Sequence, residues 1–213
     1  MMLGRQFISY ALSIGAITFP EGGVKLKNGR ISPYFFRSDL YYTGETLNQF
    51  ARGYAEVIAH QFVPLPDVNF GLSYKGSAIA VASTMILGDK IAYAYDRKEE
   101  KDHGEGGSIV GAPLKGKSVV LVDDVMTTGD SLDGAVRIVE NAKGKVVGCV
   151  IAFDRQEKGR ESNFSAVQEF TRRHKIPTYS VANLDNLIET LELAGDRYSV
   201  LVDLKNYKAQ WGV

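Results

Sequence analysis

The chain has 213 residues, 45% of them apolar, and its 25 basic and 25 acidic side chains leave no formal net charge. That length suits one domain, or one domain with a small appendage. Balanced charge excludes a global basic field for nucleic acid or anionic lipid, so any anion site must be built locally. The single cysteine, Cys149, excludes a disulfide framework and a cysteine-rich metal site.

At the N-terminus, Phe7, Ile8, Ala11, Leu12 and Ile14 fall at helical spacing. They predict a folded helix over 3–14, ended by Gly15, rather than a secretory signal. With no run of about 18 apolar residues to span a membrane, a cytosolic, membrane-free protein is expected. Residues 16–42 are broken by Gly22-Gly23, Asn28-Gly29 and Pro33 into short extended runs. Asn28-Gly29 between two such runs is a hairpin signal, so this part reads as a small β-rich appendage. Thr43 is placed to cap a helix reaching about residue 62, with Leu47, Phe50, Ala51, Tyr54, Val57 and Ile58 on one face.

From Pro64 onward strands alternate with helices. Strands are predicted at 68–73, 90–95, 119–122, 145–153 and 178–182, and helices at 77–87, 130–142, 163–173, 184–193 and 197–209. Between them lies a long polar stretch, 96–116, rich in glycine and charge. The order predicts an α/β fold: a mainly parallel sheet with helices on both faces, binding its ligand beyond the carboxyl ends of the strands. Cys149, inside the apolar run Val146 to Phe153, reads as a buried structural thiol.

Chemistry concentrates between Val119 and Ser131. Four apolar residues lead into the carboxylates Asp123 and Asp124, and then Thr127-Thr128-Gly129-Asp130-Ser131 opens a helix carrying Leu132, Ala135, Val136 and Val139 on one face, with Gly144 placed to end it. A helix N-terminus offers unpaired N–H groups and the positive end of the dipole, and small residues let them approach a phosphate closely. Asp130 fits an anion site only if it points away or caps the helix. Taken alone, an acidic pair at a strand end also describes a solvated turn. Gly111 to Ser118 matches the phosphate-loop pattern G-x-x-x-x-G-K-[ST] literally, but it runs into a strand instead of opening a helix, so the match is accidental. Asn163-Phe164-Ser165 is a glycosylation sequon with no secretory context.

The whole pattern, VVLVDDVMTTGDS, resembles the phosphoribosyl-pyrophosphate signature of the type I phosphoribosyltransferases. A second stretch, Tyr95 to Gly107, resembles the catalytic loop of the orotate phosphoribosyltransferases. Four further segments share the resemblance in order and spacing: Lys25 to Arg30, Ser32 to Phe36, Tyr74 to Gly76, and Phe153 to Glu157. The resemblance implies the type I phosphoribosyltransferase fold. Residues 1–42 would form a helix and β-rich hood sharing in the base site, and residues 43–213 an α/β core with a flexible lid at 96–112.

It also implies transfer of phosphoribose from phosphoribosyl pyrophosphate to orotate in pyrimidine synthesis. Lys27, Tyr74, Lys75, Arg97, Lys98, Lys101 and His103 would contact the phosphoribosyl pyrophosphate. So would the loop Asp123, Asp124, Val125, Met126, Thr127, Thr128, Gly129, Asp130 and Ser131. Lys101, His103, Asp123 and Asp124 would serve catalysis, with His103 either a proton donor or an anion ligand. Phe35, Phe36, Thr127 and Arg155 would bind orotate. An aromatic face suits a planar pyrimidine and an arginine suits a carboxylate, although strand packing and an ion pair explain these residues equally well one by one. Magnesium (Mg2+) is the implied cofactor, bound mainly through pyrophosphate. A homodimer sharing its lids across subunits is the implied assembly. The alternatives are a phosphoribosyltransferase for another base and a non-catalytic regulator that senses phosphoribosyl pyrophosphate; the second usually carries a nucleic-acid-binding surface, which this neutral chain lacks.

Overall fold

The computed structural model describes residues 2–26, 28–101, 107–126, 129–159 and 163–213, with no description of the side chains of 2, 98–101 and 107–108. In chain order the elements are α1 (Met2–Ser13), β1 (Ile17–Thr18), β2 (Val24–Lys25), β3 (Ile31–Ser32), β4 (Phe35–Phe36), α2 (Gly44–Gln61), β5 (Val68–Gly71), α3 (Lys75–Leu87), β6 (Ala92–Lys101), β7 (Gly107–Gly111), β8 (Ser118–Val125), α4 (Asp130–Asn141), β9 (Lys145–Asp154), α5 (Ala166–His174), β10 (Thr178–Asn183), α6 (Leu184–Ala194) and α7 (Tyr198–Trp211).

Six strands form the central sheet in the order β10-β9-β8-β5-β6-β7. All neighbours pair in parallel except β6 and β7. From β5 the chain builds outward through β6. It then returns to place β8 on the other side of β5 and builds through β9 to β10. The adjacent carboxyl ends of β5 and β8 are therefore the switch point, where crossovers diverge and leave a crevice.

Helices cover both faces, which explains why Val119 to Val122 are all fully buried. Alternation sends Val120 and Val122 into one core with α1, α2, α6 and α7, and Val119 and Leu121 into another with α4 and α5. Cys149 lies in the second core, completely buried, and burial holds its thiol pKa well above the ordinary range.

Local signals act as their chemistry dictates. Thr43 accepts from the Thr46 amide while the Thr46 side chain accepts from the Thr43 amide, closing a capping box at the start of α2. Asn28-Gly29 turns the β2–β3 hairpin, with Gly29 at φ +89°. Ser165, from the sequon, caps α5 and is buried.

Two expectations need correction. Lys143, not Gly144, takes the left-handed conformation after α4; Gly144 is required because a side chain there would crowd Val139 and the Leu114 carbonyl. The strand expected to stop at Tyr95 runs on to Lys101 and pairs with β7, so the described part of the polar stretch is a β-hairpin arm. Backbone pairing supplies hydrogen bonds to any side-chain type, so a polar run can be a strand once a partner is present.

Candidate active site

At the switch point the backbone is packed to contact. A Cβ on Gly71 would lie 2.1 Å from the Gly76 carbonyl oxygen, and one on Gly76 would lie 2.6 Å from the Val122 oxygen. Only glycines let the start of α3 sit this low between β5 and β8. Leu72 donates its amide to the Val122 carbonyl, and Ser73 donates both its amide and its hydroxyl to the Asp96 carboxylate at 2.7 and 2.8 Å. The Ser73–Tyr74 peptide is cis. Tyr74 is largely exposed, and Lys75, the first residue of α3, points back over the end of β8.

Lys75 Nζ donates to Asp124 Oδ2 at 2.9 Å and to Ser38 Oγ at 2.7 Å. Ser38 also donates to that carboxylate oxygen, tying the hood to the core. The neighbouring Asp123 points elsewhere. Its carboxylate accepts from the Asp124 amide, and its carbonyl accepts from the Tyr54 hydroxyl at 2.7 Å. Burial, and then the charge of Asp124, push the Asp123 carboxyl up to about 7. The pair is thus split into one carboxylate held by a cation and one that resists ionisation.

Beyond β8, Gly129 in the left-handed conformation (φ +86°) starts α4. A cavity of about 30 Å³ lies against Asp123, Met126, Gly129 and Ser131. Asp133 in the first turn of α4 accepts from Arg173 at 2.9 Å and lies 2.7 Å from His174 Nε2, so Arg173 at the end of α5 offsets its charge. Asp130 is exposed and is the first helical residue, while the cap position belongs to Gly129. A larger cleft of about 470 Å³ lies between the N-terminal strands and α7; its charged lining among the described residues is Glu21 and Asp203.

On the hood side, consecutive residues of β4 face opposite ways. Phe35 is exposed, whereas Phe36 is buried and stacks on Phe153 at 5.6 Å between ring centroids. Arg155, just past β9, has its guanidinium 4.3 Å from the centre of the Tyr34 ring and hydrogen-bonded to Glu157 and Ser32.

Comparison with known proteins fits this arrangement. Residues 41–180 match the phosphoribosyl transferase domain family. The orotate phosphoribosyltransferase of Thiobacillus denitrificans is 40% identical over 211 residues, covering 98% of this chain and 97% of that protein. That of Nitrosococcus oceani is 41% identical over 213 residues, covering 98% and 95%. The chain belongs to the orotate phosphoribosyltransferases. A crystal structure of an orotate phosphoribosyltransferase from Francisella tularensis superposes with a TM-score of 0.86 at 34% identity, over 98% of this chain and all of that one. The fold is accordingly the type I phosphoribosyltransferase fold, with its small antiparallel strands at the N-terminus.

For a member of the orotate phosphoribosyltransferase family, the described residues Tyr74, Lys75, Asp123, Asp124 and Gly129 to Ser131 gather at the switch point. Arg97 lies on β6, Val125 ends β8, and Met126 is buried beside the cavity. Lys27, His103, Thr127 and Thr128 lie outside the described residues, as do the side chains of Lys98 and Lys101. Ser38, Tyr54 and Glu157 were not singled out by sequence. Ser38 and Tyr54 lie 86 and 69 residues from their partners, and only folding brings them there. The nearest signal was Ser38's place two residues beyond Phe36.

Proposed function

We propose that this protein transfers the 5-phosphoribosyl group from phosphoribosyl pyrophosphate to orotate, giving orotidine 5′-monophosphate and pyrophosphate. The observation that carries this is the strand, acidic pair, left-handed turn and helix N-terminus at the switch point, with Lys75 across the crevice. In the reaction the anomeric C–O bond to pyrophosphate breaks, the leaving group taking the electron pair. Orotate N1, having lost its proton, forms the new C–N bond. Positive charge grows on the ribose and negative charge on the pyrophosphate, so cations and carboxylates must be fixed beforehand.

Asp123 and Asp124 would hold the ribose hydroxyls. Amides and hydroxyls of the turn from Val125 to Ser131 would hold the 5′-phosphate. Tyr74, Lys75 and Lys27, with Arg97, Lys98, Lys101 and His103 of the lid, would hold the pyrophosphate and exclude water. Phe35 would lie on the pyrimidine, with Phe36 behind it, Thr127 at its edge and Arg155 on its carboxylate. No group of three or more His, Cys, Asp or Glu suited to a metal occurs among the described residues. Two adjacent carboxylates, one already tied to Lys75, fit a magnesium ion carried chiefly on the pyrophosphate. That ion would supply charge neutralisation of the leaving group.

A homodimer with lids shared between subunits belongs to the same reading. So does a cytoplasmic location, which a buried, unpaired Cys149 supports; no helix among the described residues is long and apolar enough to cross a membrane. The test is to incubate purified protein with magnesium, phosphoribosyl pyrophosphate and orotate and follow orotate loss and pyrophosphate release. Turnover with a purine base but not with orotate overturns the substrate while keeping the reaction class. No turnover with any base, alongside tight binding of phosphoribosyl pyrophosphate, favours a sensor.

A further inference from the structure

Arg155 is held more tightly than substrate binding alone requires. Glu157 accepts from Nε at 2.9 Å and approaches Nη2 at 2.7 Å, and Ser32 Oγ accepts from the same Nη2 at 2.8 Å. The Tyr34 ring closes one face of the guanidinium at 4.3 Å. Only 14% of the arginine side chain and 9% of the glutamate side chain are exposed, so the pair is nearly dry. The bonds to Glu157 and Ser32 use Nε and Nη2, and the Tyr207 hydroxyl lies beside the pair, so among the described residues Nη1 is the guanidinium nitrogen with no hydrogen bond to Glu157 or Ser32.

The backbone of this segment is fixed independently of the pair. Arg30 donates to the carbonyls of Lys158 and Gly159 at 2.7 and 3.0 Å and lies over the Trp211 ring. Lys158 donates its amide to the Trp211 carbonyl at the end of α7, and Val213 donates its amide to the Gln156 carbonyl. Gln156, in the left-handed region at φ +53°, is held by the Asp154 carboxylate and by Asp185. The backbone here is thus anchored by bonds that do not involve the Glu157 side chain. Replacing such an ion pair by apolar groups is often neutral or stabilising. What the glutamate adds is direction: it consumes Nε and Nη2 and removes the arginine's freedom to rotate.

We infer that Glu157 is a positioning residue that aims Nη1 of Arg155 at the carboxylate of the base and neutralises the remainder of the guanidinium. This rests on the proposed transfer to orotate. Selection for an anionic base then comes from one oriented N–H edge and not from an open cation, so a free anion such as inorganic phosphate gains little from Arg155.

The test is steady-state kinetics on the full-length protein, varying orotate and phosphoribosyl pyrophosphate separately. Glu157→Ala is expected to raise the KM for orotate roughly tenfold or more, the loss of about one charge-assisted hydrogen bond's worth of order. The KM for phosphoribosyl pyrophosphate should stay within about twofold, because that site lies at the switch point. Glu157→Gln keeps an acceptor for Nε without the charge and should raise the orotate KM only about threefold; it carries the test if the alanine variant does not fold. In an Arg155→Ala background, Glu157→Ala should add nothing, since a residue acting through another is silent without it. Unchanged orotate KM in both Glu157 variants, equal rises in both KM values, or an additive double variant overturns the inference. Absence of orotate turnover in the wild type would instead overturn the proposed function on which it rests.

Discussion

Asp123 illustrates a conflict between stability and binding at a single residue. Its carboxyl, pushed up to about 7 by burial and by Asp124, is favoured by the fold only when neutral. The unfolded chain ionises it near the ordinary carboxylate value. The stability it contributes is therefore whole below about pH 4 and is lost as pH rises toward about 7. Asp123→Asn removes that dependence. Thermal unfolding of the ligand-free variant should match wild type near pH 4 and exceed it by roughly 2–4 kcal/mol at pH 8, several degrees in Tm, while phosphoribosyl transfer collapses. A lower Tm at pH 8 would mean that the charged form is not strained. This penalty was not legible in sequence, where Asp123 and Asp124 look alike. What separates them is that Lys75 and Ser38 reach Asp124, whereas Asp123 meets the Tyr54 hydroxyl only at its carbonyl.

At the scale of elements, the site is set by how low α3 sits against the sheet. Gly71→Ala would place a Cβ 2.1 Å from the Gly76 oxygen, a main-chain atom that no rotamer change can move. The helix start must lift, carrying Lys75 off Asp124. Urea unfolding should show a loss of roughly 3 kcal/mol or more, beyond ordinary overpacking. Any variant that still folds should bind phosphoribosyl pyrophosphate weakly. Thr43→Ala, by contrast, removes only the cap of α2 and should cost about 1 kcal/mol with the site unaffected. Elements were legible where periodicity and caps coincide, as in α2, α4 and β8. They were not legible in β6 beyond Tyr95, where charged residues become strand only because β7 pairs with them. The same limit applies to Phe35 and Phe36: the resemblance implied both at the base without saying how they differ, and strand alternation leaves Phe35 exposed and buries Phe36.

At the scale of the whole molecule, α3 presents an apolar outer face. Between Gly76 and Leu87 it carries no charged residue, and Ile79, Ala80 and Ser83 fill its inward side. Its outer stripe of Ala78, Ala82, Met85 and Ile86 has Met85 79% exposed. An apolar stripe of small and flexible side chains fits a second copy of the chain related by a two-fold axis. If the proposed homodimer uses this stripe, Met85→Glu should shift sedimentation from dimer to monomer, with little change in the fold.

The sharper test of the proposed shared lids uses two variants expected to be inactive, Lys101→Ala and Asp123→Asn. If the lid of one subunit serves its neighbour, a hybrid dimer has one site with both lesions and one with neither. Random reassortment makes half the dimers hybrids, so mixing should restore about a quarter of wild-type turnover. If each lid serves its own subunit, every hybrid site keeps one lesion and mixing restores nothing. Adding Met85→Glu to both partners separates the two causes of failure. Restored activity that this change abolishes requires the α3 interface, and restored activity that survives it places the shared lid at some other surface.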